Sequence, residues 1–134
     1  MFTADAVARI DRSLFFRELY GEAPEFTEVE LAEFTISGMR PGVSIRFLPS
    51  NSPCSLPKKW LLSSFNAASI ELDFIQIKSI SVTKFGPMAV CSLHLSWQDG
   101  RFELLITGDL EARMLAEHCF VQKISGYQRG ERRV

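Results

Sequence analysis

A chain of 134 residues that is 46% apolar and 23% charged is long enough to close one hydrophobic core and too short for two, which excludes both a two-domain protein and a disordered one. Its net charge of −1 argues against binding nucleic acid or an anionic membrane through overall charge. No apolar run approaches the roughly 18 residues that cross a bilayer, and the N-terminal MFTADAVARIDRSLFF sets acids and arginines inside its apolar stretch, unlike a signal peptide, so a cytoplasmic location is expected.

The first element is an amphipathic helix within residues 1–21. Thr3 suits an N-cap, Val7, Ile10 and Leu14 follow at helical spacing, and Gly21 suits the position after the last turn. Ala23-Pro24 cannot continue a helix. An antiparallel sheet is expected over residues 27–127. Between Thr27 and Ser37 the apolar set is Val29 and Leu31, then Phe34 and Ile36, so the period of two shifts once near Ala32-Glu33 and calls for a bulge. Gly38 to Gly42 is a turn by composition, and Val43, Ile45 and Phe47 alternate with polar residues as a strand that pairs with the one before it.

Residues 49–57 are rich in Pro and Ser and form a surface loop. Lys58-Lys59-Trp60-Leu61-Leu62 then returns a Trp to the protein. Ala67 to Thr83 is one apolar region with phase shifts near Ile75 and Lys78, either two consecutive strands or one bulged long strand. From Met88 to Thr107 the alternation is regular on both sides of Asp99-Gly100, which makes a hairpin with a type I′ turn. That turn opposes Trp97 to Phe102, Leu95 to Leu104 and Leu93 to Ile106, with every large residue on one face. Residues 108–120 fit a helix through Leu110, Met114 and Leu115, and a strand through Leu110, Ala112, Met114, Ala116, His118 and Phe120; the strand is favoured. Residues 128–134 should fray as a solvated tail.

The search for chemistry yields no catalytic, cofactor-binding or metal-binding residues. Cys91-x-x-His94 and His118-Cys119 supply zinc-ligand types, but residues three apart or adjacent on a strand point to opposite faces. Three cysteines at wide spacing, Cys54, Cys91 and Cys119, fit reduced thiols better than a disulfide framework, and the second and third read as small buried hydrophobes. Glu71 and Asp73 share one strand face, where a solvated carboxylate pair is commoner than an acid and base. Trp60, Trp97 and Tyr127 have no basic stripe beside them, so packing explains them better than stacking on nucleobases. No nucleophile elbow, zinc-protease or phosphate-loop motif is present. The chain therefore reads as a binding protein and not an enzyme.

One segment invites a partner. Glu18, Glu22, Glu25, Glu28, Glu30 and Glu33 stand in a stretch with no Lys or Arg between Glu18 and Met39, which would attract a basic protein surface; the bland alternative is a solvated helix end and strand face.

Four pieces resemble a known family in their order and spacing: Leu19-Tyr20-Gly21 followed by Pro24 and an acidic strand; Pro57-Lys58-Lys59-Trp60 and Asn66 before a long apolar strand; the strand pair around Asp99-Gly100; and Lys123-Ile124-Ser125-Gly126-Tyr127. Their arrangement is similar to that of the bacterial immunity protein 50 family, found with polymorphic toxins. The resemblance implies a protein that binds and neutralises a cognate toxin, without catalytic residues or cofactors of its own. It transfers no contact residues, so charge alone points to Glu22, Glu25, Glu28, Glu30 and Glu33 as the toxin-binding set, which would mimic phosphate in the channel of a nuclease toxin.

The expected architecture is α+β: an N-terminal helix on a bent, largely meander antiparallel sheet of about six to seven strands, in a single domain spanning residues 1–134. The alternative function is a small-ligand-binding β-protein of the cytoplasm, which a sizeable internal cavity would favour. A homo-oligomer built on exposed strand edges is a third possibility; the oligomeric state is not legible.

Overall fold

In a computed structural model, which describes residues 1–38, 42–87 and 89–129, six antiparallel strands close into a barrel. They are β1 (Phe26–Ser37), β2 (Gly42–Pro49), β3 (Ala67–Lys84), β4 (Cys91–Gln98), β5 (Arg101–Gly108) and β6 (Glu111–Tyr127), with short helices α1 (Ala4–Arg9), α2 (Leu14–Tyr20) and α3 (Lys58–Leu62). Round the barrel the order is β1-β2-β3-β6-β5-β4. Two three-stranded meanders are thus joined where β3 meets β6 and where β4 meets β1. The α+β class and the antiparallel sheet agree with the sequence; the closure of that sheet was not legible there.

Closure depends on the two longest strands. β3 pairs with β2 through residues 70–75 and with β6 along its whole length, while the first part of β6 pairs also with β5. Each long strand therefore serves both halves of the barrel. It turns the corner at ladder shifts, among them one between Ile77 and Ser79 near Gln76 (φ 56°), as bulged strands do when they bend a sheet. The phase shifts expected near Ile75 and Lys78 mark this corner, and the region is one bulged strand.

Other local expectations match in register. β1 pairs with β2 and shifts between Leu31 and Glu33. The β4–β5 hairpin turns at Asp99 (φ 54°) and Gly100 (φ 77°), the two positive φ values that a type I′ turn needs and that glycine adopts at least cost. Its pairs are Trp97 with Phe102, Leu95 with Leu104 and Leu93 with Ile106. Residues 111–127 are strand, not helix. The turn placed over Gly38 to Gly42 lies partly outside the described residues, at positions 39–41, and so does Met88.

The N-terminal helix is corrected. It is two helices, not one, because the chain leaves helical geometry at Ile10 and passes Arg12 at φ 61°. Asp11 instead donates its N–H to Cys119 O and accepts from Val121 N, at 3.0 Å each. These two bonds give partners to the Cys119 carbonyl and the Val121 N–H, on a stretch of β6 beyond its pairing with β5. Both ends behave as expected: Thr3 Oγ1 accepts from Ala6 N at 3.2 Å, and Gly21 follows the last turn of α2. Leu14, placed on the apolar stripe by its spacing, is exposed once the helix breaks. Residues 58–62, read only as a returning Trp, form α3.

Large apolar side chains line the barrel interior. Phe2, Phe26, Phe47, Ile45, Ile70, Leu72 and Phe74 are fully buried. Phe26 sits at the centre of an aromatic cluster, edge-on to Phe2 at 5.0 Å, Phe47 at 5.1 Å and Tyr20 at 5.4 Å. Such pairs add about 0.5–1.5 kcal/mol each beyond the area they bury. Val7, Phe16, Leu19 and Tyr20 of the two N-terminal helices join the same buried core.

Candidate functional site

Side chains that face outward on β1, β2, the first half of β3 and the last part of β6 line up in rows, because antiparallel partners share a face. One row reads Glu33, Arg46, Glu71, Lys123 across four strands, alternating in sign. Arg46 donates to Glu33 Oε1 from Nη2 at 3.0 Å and from Nε at 3.3 Å. With Leu48, Ser69 and Tyr127 this row lines an open groove of about 480 Å³. A second row, Thr35, Ser44, Asp73 and Phe120, lies beside it, and Ser44 donates its hydroxyl to Asp73. Asp73 is thus held by a neighbour, as a solvated sheet face holds its polar groups, and it does not stand as an acid paired with Glu71.

A further recess of about 330 Å³ joins the groove at the foot of β1, lined by Glu28, Glu30, Leu48, Ser50, Tyr127 and Arg129. Its shape follows from an irregularity. The β1–β4 register shifts between Phe26 and Val29, which leaves both Thr27 and Glu28 exposed before Val29 returns inward and Glu30 faces out. Glu28 and Glu30 therefore share one recess.

The structure disperses the other members of the acidic segment. Glu33 is committed to Arg46. Glu25 stands near the Met1 ammonium and His94, where its charge opposes the lowering that burial imposes on both. Those two groups are themselves in contact, Met1 N lying 2.7 Å from His94 Nδ1. Glu22 is exposed in the turn after α2. Five glutamates close together in sequence thus occupy four places, and of them only Glu28 and Glu30 line this recess together.

The floor of this region is a packed hub that the sequence did not reveal. Arg129, placed in the fraying tail, is half-buried. Its guanidinium donates to Ser50 O at 2.8 Å, to Tyr127 Oη at 3.1 Å and to Pro49 O. Its main chain exchanges two hydrogen bonds with the Asn66 side chain, at 2.7 and 3.0 Å. Tyr20 closes the hub by donating to Asn51 O at 3.4 Å; burial drives its phenol far up, against the nearby Arg129 charge. Gly126 lies against the Trp60 ring so closely that a Cβ there would fall 2.8 Å from it. The expected tail is corrected for Arg129, while residues 130–134 lie outside the described chain. A lone arginine beyond the last strand carries no signal of burial; two of its partners are the main-chain carbonyls of Pro49 and Ser50, which no pattern of residue types marks.

The side chains weighed for chemistry are spent on packing. Cys91 points inward and His94 outward, and Cys119 is buried beside an exposed His118. Burial, then the charges of Asp73 and Asp11, push the Cys119 thiol well above its usual range, so it is an inert hydrophobe. Trp97 stacks edge-on with Phe102 at 4.8 Å beneath the Arg9 guanidinium, 4.6 Å away. Trp60 packs on Phe15 at 5.7 Å. Among the described residues no three His, Cys, Asp or Glu side chains converge as metal ligands would, and no helix is long and apolar enough to cross a membrane.

In comparison with known proteins, a family model described as Immunity protein 50 matches residues 15–127, most of the chain. No curated protein and no solved structure matches it.

Proposed function

This chain belongs to the immunity protein 50 family, and from that premise we propose that it neutralises a cognate polymorphic toxin by stoichiometric binding, with no chemistry of its own. The observation that carries the reading is the open, charged face over β1, β2, β3 and β6, set on a barrel whose interior is filled. A rigid sheet presents its side chains without an ordering cost, which is what tight association between preformed surfaces requires. A small-ligand carrier would need room inside, and six phenylalanines, Phe2, Phe16, Phe26, Phe47, Phe74 and Phe102, take up that space.

Within the face, Glu28 and Glu30 are the contact residues, in a recess beside the mixed-charge groove. Glu22 and Glu25 extend the acidic field toward the barrel end, and Glu33 joins it as the partner of Arg46. Their joint effect is to steer a basic toxin surface, such as the substrate channel of a nuclease, into register. Such steering acts mainly on the association rate and weakens with salt.

The test is charge reversal. Glu28→Lys with Glu30→Lys should slow association with the toxin domain about tenfold or more at low salt and flatten its dependence on ionic strength. An affinity and salt dependence equal to the unaltered chain would remove these residues from the interface.

A further inference from the structure

The second half of β3 has a side with no strand on it. β2 ends its pairing at Gly42 opposite Ile75, whereas β3 continues to Lys84 with β6 on its other side alone. Among the described residues nothing else pairs there. Lys78, Ser79, Ser81, Val82, Thr83 and Lys84 are all exposed, so among the described residues no loop covers that row of N–H and C=O groups. Such an edge is a template for another strand.

The edge is preformed and its surroundings are apolar. Ile77 and Ile80 pack into the core from the inward face, and the ladder to β6 runs through Ile80 with Met114, Ser81 with Arg113 and Val82 with Ala112. Register and twist are therefore fixed before any partner arrives. Val82 is 42% exposed, Phe85 just beyond the strand end 78%, and Val90 on the same connection 53%. The connection is itself tied to the β5–β6 turn, with Val90 N donating to Asp109 Oδ2 at 3.0 Å.

Charge selects the occupant. A second copy of this chain pairing antiparallel about Ser81 would set Lys78 against Lys84, and like charges directly opposed destabilise a ladder. Lys78 is held by Glu117, with Nζ 3.6 Å from Oε1, while Lys84, opposite Glu111 in the ladder, makes no ion-pair contact among the described residues. The cation on offer therefore stands at the end of the edge, next to the exposed Phe85.

We propose that residues 78–84 of β3 receive an extended segment of the toxin as an added strand. Main-chain hydrogen bonds supply affinity, a carboxylate on that segment meets Lys84, and apolar side chains cover Val82 and Phe85. The inference rests on the toxin-binding reading above and names a second contact, on a different part of the barrel from the glutamate recess.

Amide hydrogen exchange tests it, on the full chain alone and in complex with the C-terminal domain of the proposed cognate toxin. In the free chain, amides of residues 78–84 that face away from β6 should exchange quickly, and in the complex they should slow about tenfold or more. Lys84→Gln, which sets no like charge against its ladder partner Glu111, should weaken the complex severalfold while leaving the thermal midpoint of the free chain in place. A stable complex with unchanged exchange over 78–84 would overturn the added strand and leave toxin binding standing; absence of any complex would overturn both. Protection of the same amides in the free chain at raised concentration would identify a second copy as the occupant and equally overturn the proposal.

Discussion

Replacing Gly126 by Ala isolates the contact that locks α3 against the last strand. A Cβ at this position would lie 2.8 Å from two carbons of the Trp60 ring and 2.7 Å from Phe65 Cδ2, where carbon atoms in good contact stand about 3.5–4.0 Å apart. Neither ring can retreat freely. Trp60 is only 8% exposed and is flanked edge-on by Phe15 at 5.7 Å and Phe65 at 6.4 Å. Overpacking of this kind costs about 1–3 kcal/mol. Against it, Ala in place of a strand Gly recovers about 0.5–1 kcal/mol of chain entropy, because the backbone of Gly126 is not in the left-handed region. The net destabilisation is about 1 kcal/mol, within a span of about 0–2.5 kcal/mol, or roughly 4 °C in midpoint for a chain of this length. Urea unfolding followed by tryptophan emission, with calorimetry for the midpoint, measures it. Trp60→Leu in the Gly126→Ala background should remove much of the penalty, since coupled sites do not add. A Gly126→Ala variant as stable as the parent, or more so, would refute the close packing.

Two further outcomes follow from the titratable groups. Burial first, then the Met1 ammonium, holds the His94 imidazole below its usual range, with Glu25 opposing them. The unfolded chain then binds that proton more readily than the folded one, so stability present above about pH 6.5 is lost as pH falls through that value. Urea midpoints should decline between about pH 7 and pH 5, and less steeply in His94→Gln; equal slopes would speak against the contact. Thiol titration separates the cysteines, since Cys54 is exposed while Cys91 and Cys119 are buried. Ellman's reagent should modify one thiol in the native chain and all three in urea, and rapid native reaction of a second would contradict the packing at the barrel wall.

Strands with one buried face were legible because alternation reports burial directly. The β4–β5 hairpin is the clearest instance, its register following from Asp99-Gly100 and from the apolar rows on either side. The bulge between Leu31 and Glu33 was legible for the same reason, since a shift in phase is visible residue by residue. What failed depended on distant partners. Helical spacing through Val7, Ile10 and Leu14 carried no hint that Asp11 would leave the helix to bridge Cys119 and Val121. Barrel closure has the same origin, because the β1–β4 contact at Phe26 with Leu93 and Val29 with Cys91 leaves no mark in either segment alone. The acidic stretch was visible as composition, but its division among the Glu28–Glu30 recess, the Arg46 ion pair and the neighbourhood of His94 is set by two shifts of register in β1. Arg129 shows the limit most plainly, its role resting on the carbonyls of Pro49 and Ser50.

The reading stands most directly on whether one copy of this chain titrates one copy of its toxin. The purified chain should be mixed with the C-terminal domain of its proposed cognate toxin, the mass of the product taken by light scattering and the toxin's activity followed across the titration. The expected result is a single complex of equal stoichiometry and activity that falls to baseline at one equivalent. A toxin that remains fully active with the chain in excess, or a chain that leaves the column alone, would contradict neutralisation by binding.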